Sequence, residues 1–167
     1  GSWEIGEVLG EGGSSVVYEA SHVDGDFPMS AALKRMRAGP GSQPFVQRFR
    51  QERNILLELR HPHIVRVLDG GTTASGEPWY VMERIEGVSL TEWCASQPLE
   101  ERVRALIAVA KAVEYAHQRM VVHCDLKPEN IVITRGHDDR EVAKVLDFGL
   151  AKLRTGLSGM TVTEHGA

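Results

Sequence analysis

The chain has 167 residues, 42% of them hydrophobic and 25% charged, enough apolar material to bury the core of one ordinary domain or two small lobes, which excludes a disordered chain. Its formal net charge is −4, from 19 basic and 23 acidic residues with no Lys/Arg block, which argues against binding nucleic acid or acidic membranes by bulk charge. Two cysteines, Cys94 and Cys124, are too few for a disulfide framework or a metal cluster and form no CxxC pair, so a reducing, cytoplasmic setting is expected.

In chain order, Gly1-Ser2 has the look of a cloning scar and carries no structural weight. Residues 3 to 9 alternate Trp3, Ile5, Glu7, Leu9 against Glu4, Gly6, Val8, and the run Val16-Val17-Tyr18 follows the turn GEGGSS. This predicts a β-hairpin with a flexible tip. A further strand carrying Lys34 is predicted over residues 31 to 36, AALKRM, and a Gly/Pro/Ser-rich linker, Ala38 to Pro44, leads into a helix. On that helix Phe45, Phe49, Glu52, Ile55, Leu56 and Leu59 recur at three- and four-residue spacing. Glu52 therefore falls within the apolar face. A carboxylate buried there without a partner costs roughly 3 to 5 kcal/mol, so a cation from another element should meet it, and Lys34 is the candidate.

Two more strands are predicted at Ile64 to Leu68 and Trp79 to Met82, separated by the turn-rich GGTTASGEP, and they complete an antiparallel sheet. A shift in composition near Glu86-Gly87 marks a hinge to a helical half. Residues 100 to 118 take helical period, with Val103, Leu106, Ile107, Ala110, Val113 and His117 on one stripe. Their most apolar part, Ala105 to Ala116, carries Lys111 and Glu114 and is too short to cross a bilayer; with no signal segment at the start, a soluble piece is expected.

Three stretches carry chemistry. Gly10-Glu11-Gly12-Gly13-Ser14-Ser15 lies between two strands. That context disfavours the dinucleotide-binding fingerprint, which needs a helix N-terminus, and leaves an ordinary turn or a lid over phosphates. Between the apolar runs Val121-Val122 and Ile131-Val132-Ile133 stands the polar island HCDLKPEN, with Asp125 and Asn130 five residues apart, and Asp147 follows in VLDFG. Oxygen ligands of this kind suit Mg²⁺ shared with substrate phosphates.

Taken together, GEGGSSVV, AALK, Glu52 on the next helix, HCDLKPEN and DFG stand in the order found in protein kinases. The chain resembles the eukaryotic-like serine/threonine kinases of bacteria over essentially its whole length. The resemblance implies an α+β, two-lobed kinase-like fold. Residues 1–87 would form an N-lobe and hinge, with a five-stranded antiparallel sheet and one main helix; residues 88–167 would form part of a helical C-lobe. It also implies transfer of the γ-phosphate of Mg·ATP to a Ser/Thr hydroxyl of a protein, with Mn²⁺ as an alternative metal.

Carried over residue by residue, the resemblance makes Gly10 and Gly12 the backbone that approaches the ATP phosphates. Leu9, Val17 and Ala32 would cover the adenine, with Met82 at the gatekeeper position, Glu83 and Ile85 offering backbone, and Val132 beneath. Lys34 would hold the α/β-phosphates and pair with Glu52. Asp125 would accept the substrate proton, Lys127 steady the γ-phosphate, and Asn130 and Asp147 hold Mg²⁺. His123 is expected to pack against Phe148 in an internal stack with Leu56 and Val67, and not to act as a base.

The sequence departs from the family at several points. Ser15 stands for the third glycine of the loop. A polar insertion, Arg135 to Arg140, lengthens the turn before DFG and is expected to be exposed. A-P-E does not appear before Ala167, so the remaining helices are expected elsewhere, this piece alone should be poorly active, and the apolar underside of the 100–118 helix should be exposed. Cys124 replaces the arginine of H-R-D, which in the family receives an activation-loop phosphate; it is expected to be a small buried residue and its presence suggests activity without that switch. The alternative function is an ATP-binding pseudokinase or scaffold, opposed by retention of Lys34, Glu52, Asp125, Asn130 and Asp147.

Overall fold

Alternation of apolar and polar residues builds the first half of the chain into a sheet. The computed structural model describes residues 2–13, 15–23, 29–37, 53–136 and 138–148. Strands β1 (Trp3–Gly12), β2 (Ser15–His22), β3 (Ser30–Met36), β4 (Val67–Thr72) and β5 (Pro78–Glu83) form an antiparallel five-stranded sheet in the order β1-β2-β3-β5-β4. Its two faces bury different sets. Ala31, Leu33 and Val81 cluster with Ala20, Tyr18 and Trp79 on one side. Met36 and Tyr80, with Met82 beside them, join the larger core on the other.

Pairing runs further along the first hairpin than the glycines suggest. Glu11 and Gly12 pair with Val16 and Ser15, so strand geometry continues nearly to the tip. The fourth strand begins later than Ile64 and takes in Gly70 and Gly71, which sequence alone assigns to a turn. Gly71 is needed there, because a Cβ would lie 2.8 Å from the Trp79 indole that crosses it. The residues before it are claimed elsewhere: Val65 N–H donates to the Val145 carbonyl and Val145 N–H to the His63 carbonyl, both at 2.9 Å.

Helix α1 covers residues 53–58 of the described chain. Leu56 and Leu59 are buried in the larger core while Ile55, expected on the same stripe, is 43% exposed.

The second half holds a three-stranded sheet, β6 (Gly87–Ser89), β7 (Ile131–Arg135) and β8 (Glu141–Val145), in that order. Helix α2 (Leu90–Ser96) starts on the Ser89 hydroxyl, which accepts the Glu92 N–H at 3.2 Å. Helix α3 (Leu99–His117) carries Glu100 and Glu101 in its first turn and His117 in its last, the signs that suit the helix dipole. Its buried side is Val109, Ala112 and Ala116, not the predicted stripe, of which Val103, Leu106 and Ile107 are exposed. Small residues win that face because α3 packs on β8, and alanines allow close approach.

Residues 136 and 138–140 of the polar insertion link β7 to β8, with Asp138, Asp139 and Arg140 exposed as expected. The apolar run Val121-Val122 forms no strand; Val121 is buried and Val122 exposed.

Candidate active site

The register of β3 against β5 sets Lys34 opposite Tyr80 and Ala32 opposite Met82. Side chains directly opposite in a pair share a face, so the ammonium and the phenol point the same way. Both meet Asp147, two residues beyond the end of β8. Lys34 Nζ lies 2.5 Å from Asp147 Oδ2, and the Tyr80 hydroxyl donates to Oδ1 at 2.8 Å. Tyr80 is buried in the core. Burial first, then the neighbouring carboxylate, pushes its hydroxyl well above the usual tyrosine range, so it serves as a neutral donor.

The loop ahead of β7 is held from beneath. His123 is buried, donates from Nε2 to the Leu146 carbonyl at 2.8 Å and accepts the Asp125 N–H on Nδ1 at 3.3 Å. Its ring meets Phe148 edge-on, centroids 4.7 Å apart, and Phe148 and Leu56 share the larger core with Val67 packed against it. With both nitrogens engaged, His123 is a packed strut.

Asp125 stands over this base. Lys127 Nζ is 3.0 Å from its Oδ2; Asn130 Nδ2 donates to its backbone carbonyl at 2.7 Å and reaches Oδ2 at 3.4 Å. The hydrogen bond from Lys127 is the main reason its carboxyl lies below the usual range, with the Lys127 charge and Asn130 adding to it. Asn130 sits at the end of a 3₁₀ turn, Pro128–Asn130, and its carbonyl accepts the Leu146 N–H at 2.8 Å. That single backbone bond ties the Asp125 loop to the residue before Asp147. The structure thus brings together Lys34 with Asp147, and Asp125 with Lys127 and Asn130.

The predicted nucleotide roof follows the sheet. Gly10 pairs with Val17 on the first hairpin, and a Cβ at Gly10 would meet nothing within 4 Å, so this backbone borders open space. Leu9 is exposed, Val17 and Met82 half-buried and Ala32 buried. Ile85 is half-buried in the segment between β5 and β6, and Val132 half-buried on β7. Glu83 spends its side chain on structure, with Oε1 2.6 Å from Lys144 Nζ and accepting the Arg66 N–H at 3.0 Å. Glu52 and its expected pairing with Lys34 lie outside the described residues.

Cys124 departs from expectation. It is exposed, at φ 64, with Sγ 3.7 Å from the Val122 carbonyl oxygen. Val121 and His123 take the inward places, so the alternation turns Val122 and Cys124 outward. Sequence reasoning passed over Tyr80, although its two-residue spacing from Met82 and its place on a strand beside Lys34 put it on the site's face.

The donor set suits a hard cation. Asn130 spends its amide N–H on Asp125, which leaves its oxygen free of that bond, and Asp147 supplies carboxylate oxygens. Among the described residues no group of three or more His, Cys, Asp or Glu could hold a metal by protein ligands alone. Mg²⁺ fits such a sparse set, since it keeps waters and shares substrate phosphates.

The sequence profile described as Protein kinase domain matches residues 3–165. The chain is similar to the probable serine/threonine-protein kinase SCO3848 of Streptomyces coelicolor, 38% identical over 174 residues, covering 100% of this chain and 25% of that protein. It is 36% identical over 172 residues to serine/threonine-protein kinase PknB of Mycobacterium tuberculosis, covering 99% of this chain and 26% of PknB. Among solved structures, the Mycobacterium tuberculosis PknI kinase domain superposes with a TM-score of 0.75 at 32% identity, over 92% of this chain and 65% of that domain. The chain therefore spans about a quarter of the curated relatives it matches.

Proposed function

The chain belongs to the protein kinase domain family, and on that premise we propose that the full-length protein transfers the γ-phosphate of Mg·ATP to a Ser/Thr hydroxyl of a protein. The observation that carries this reading is the pair of linked polar groups: Lys34 on Asp147, and Asp125 clasped by Lys127 and Asn130, joined by the Leu146–Asn130 backbone bond.

Each residue does a separable task. The adenine is enclosed by Leu9, Val17, Ala32, Met82 and Val132, with backbone of Glu83 and Ile85 at its edge. Gly10 and Gly12 let the lid backbone approach the phosphates because no side chain intervenes. Lys34 neutralises the α/β-phosphates, and Glu52 orients it. Asp125 is an ionised acceptor at neutral pH; it orients the substrate hydroxyl and takes its proton as the new bond to the γ-phosphorus forms and the bond from that phosphorus to the β–γ bridging oxygen breaks, with ADP as the leaving group. Lys127, already on Asp125, balances charge on the moving phosphoryl group. Asn130 and Asp147 would hold Mg²⁺, or Mn²⁺ in its place, which supplies charge neutralisation between the phosphates. The partners are ATP and a protein with a Ser/Thr acceptor. Among the described residues no helix is long and apolar enough to cross a membrane.

The test is a phosphoryl-transfer assay on the full-length protein beside Asp125→Asn. Loss of about 10²- to 10⁴-fold in kcat with nucleotide binding retained is expected for removal of a positioned proton acceptor. Equal activity in the two proteins defeats the reading, and wild-type nucleotide binding without transfer replaces it with a nucleotide-binding scaffold.

A further inference from the structure

We propose that Tyr80 is a positioning residue for the metal site, fixing the Asp147 carboxylate through its buried hydroxyl so that one oxygen stays anchored while the other is free to serve the metal. The proposal rests on the kinase reading of Asp147 and adds to it a residue on β5.

A carboxylate with two oxygens can be held at both or swing about one. Here Oδ1 takes the Tyr80 hydroxyl at 2.8 Å and Oδ2 takes Lys34 Nζ at 2.5 Å. The two anchors differ in stiffness. Lys34 ends a flexible four-carbon stem and has other work to do on phosphates. Tyr80 is 2% exposed, and its ring is packed in the same core as Met36, Leu56 and Phe148, so its hydroxyl has little freedom to leave. Once Lys34 turns to the nucleotide, Tyr80 is the donor that still fixes Asp147.

The backbone adds a reason for such an anchor. Asp147 lies at φ 59, in the left-handed region that disfavours residues other than glycine. It stands between Leu146, whose N–H is bound to Asn130, and Phe148, which is buried against His123. With the backbone held on both sides, the Tyr80 hydroxyl restrains the torsion that remains, that of the carboxylate itself. Register makes the placement reliable, because Tyr80 is the direct cross-strand partner of Lys34. An aliphatic side chain at this place could fill the core but could not donate to the carboxylate.

The test uses the full-length protein and Tyr80→Phe, which keeps the ring and removes one oxygen. Binding of a non-hydrolysable ATP analogue is measured by calorimetry across a Mg²⁺ titration, with melting followed separately. Expected are unchanged analogue affinity without metal and a rise of about 10-fold in the Mg²⁺ concentration for half-maximal tightening, the low end for groups that orient metal ligands. In an Asp147→Asn background the same substitution should have no further effect on that concentration. A wild-type and a Tyr80→Phe protein with the same Mg²⁺ dependence overturn the proposal, as does an effect that survives in the Asp147→Asn background or appears only as a lower Tm. Wild-type protein whose analogue binding ignores Mg²⁺ overturns both the proposal and the kinase reading beneath it.

Discussion

Lys144 Nζ of β8 lies 2.6 Å from Glu83 Oε1 at the end of β5, so one ion pair joins the five-stranded sheet to the three-stranded one. Both side chains are less than a third exposed, and the Arg66 N–H shares the same oxygen. Lys144→Met should cost about 1–2 kcal/mol, above the exposed-pair range because screening is reduced. Thermal melts of the full-length protein should show a Tm lower by about 2–4 °C per kcal/mol. Equal melting would mean that the pair is fully solvated in solution.

Gly87 is a packing requirement of the second sheet. A Cβ there would lie 2.2 Å from the Ile133 carbonyl oxygen and 2.8 Å from Val132 Cγ1. Gly87→Ala should therefore force β6 from β7 and cost about 1–3 kcal/mol, as overpacking does. Because Val132 is proposed to lie beneath the adenine, ATP affinity should fall as well. Both are read from a melting curve and a nucleotide titration; an unchanged Tm would contradict the close approach.

Asp125 gives a pH prediction. Its pKa is depressed, so the proton acceptor is present above that pKa and is lost as pH falls through it. Lys127 is the largest cause. Lys127→Ala should raise the Asp125 pKa towards the ordinary carboxylate range, moving the acid limb of kcat/KM to higher pH and lowering its plateau. A limb that stays in place while the plateau falls would separate Lys127 from the ionisation of Asp125.

Cys124 offers two measurements. As an exposed thiol it should react with a water-soluble thiol reagent before the half-buried Cys94 in the native protein. Since it supplies no positive charge for an activation-loop phosphate, phosphatase-treated full-length protein should keep its transfer activity. Activity lost on dephosphorylation and restored on rephosphorylation would sink the second expectation.

Much of this architecture can be read before any coordinates, because its strands alternate cleanly and its motifs occur in order. What stays hidden is competition between neighbours. Period alone cannot say which side of α3 is inward, since Val103, Leu106 and Ile107 are larger than the Ala112 and Ala116 that close approach to β8 selects. Nor can it place Ile64 and Val65, which bridge and hydrogen-bond to Val145 instead of pairing in the first sheet, while the next residue, Arg66, gives its carbonyl to the Glu83 N–H of β5. Of the candidate site, Lys34, Asp125, Asn130 and Asp147 are picked out by the motifs that carry the family resemblance. Tyr80 needs the β3–β5 register, and the outward turn of Cys124 needs the alternation of Val121 and His123.

That outward turn has a consequence for how such a chain can change over time. At φ 64, position 124 disfavours β-branched residues through the backbone, but its side chain is exposed, with Sγ on the Val122 carbonyl. Asp125 is held instead by His123, Lys127 and Asn130. Unbranched side chains of any charge should therefore be exchangeable there without shifting the proposed proton acceptor beside it. Control at residue 124 and the proposed chemistry at residue 125 would then be separated by a single peptide bond.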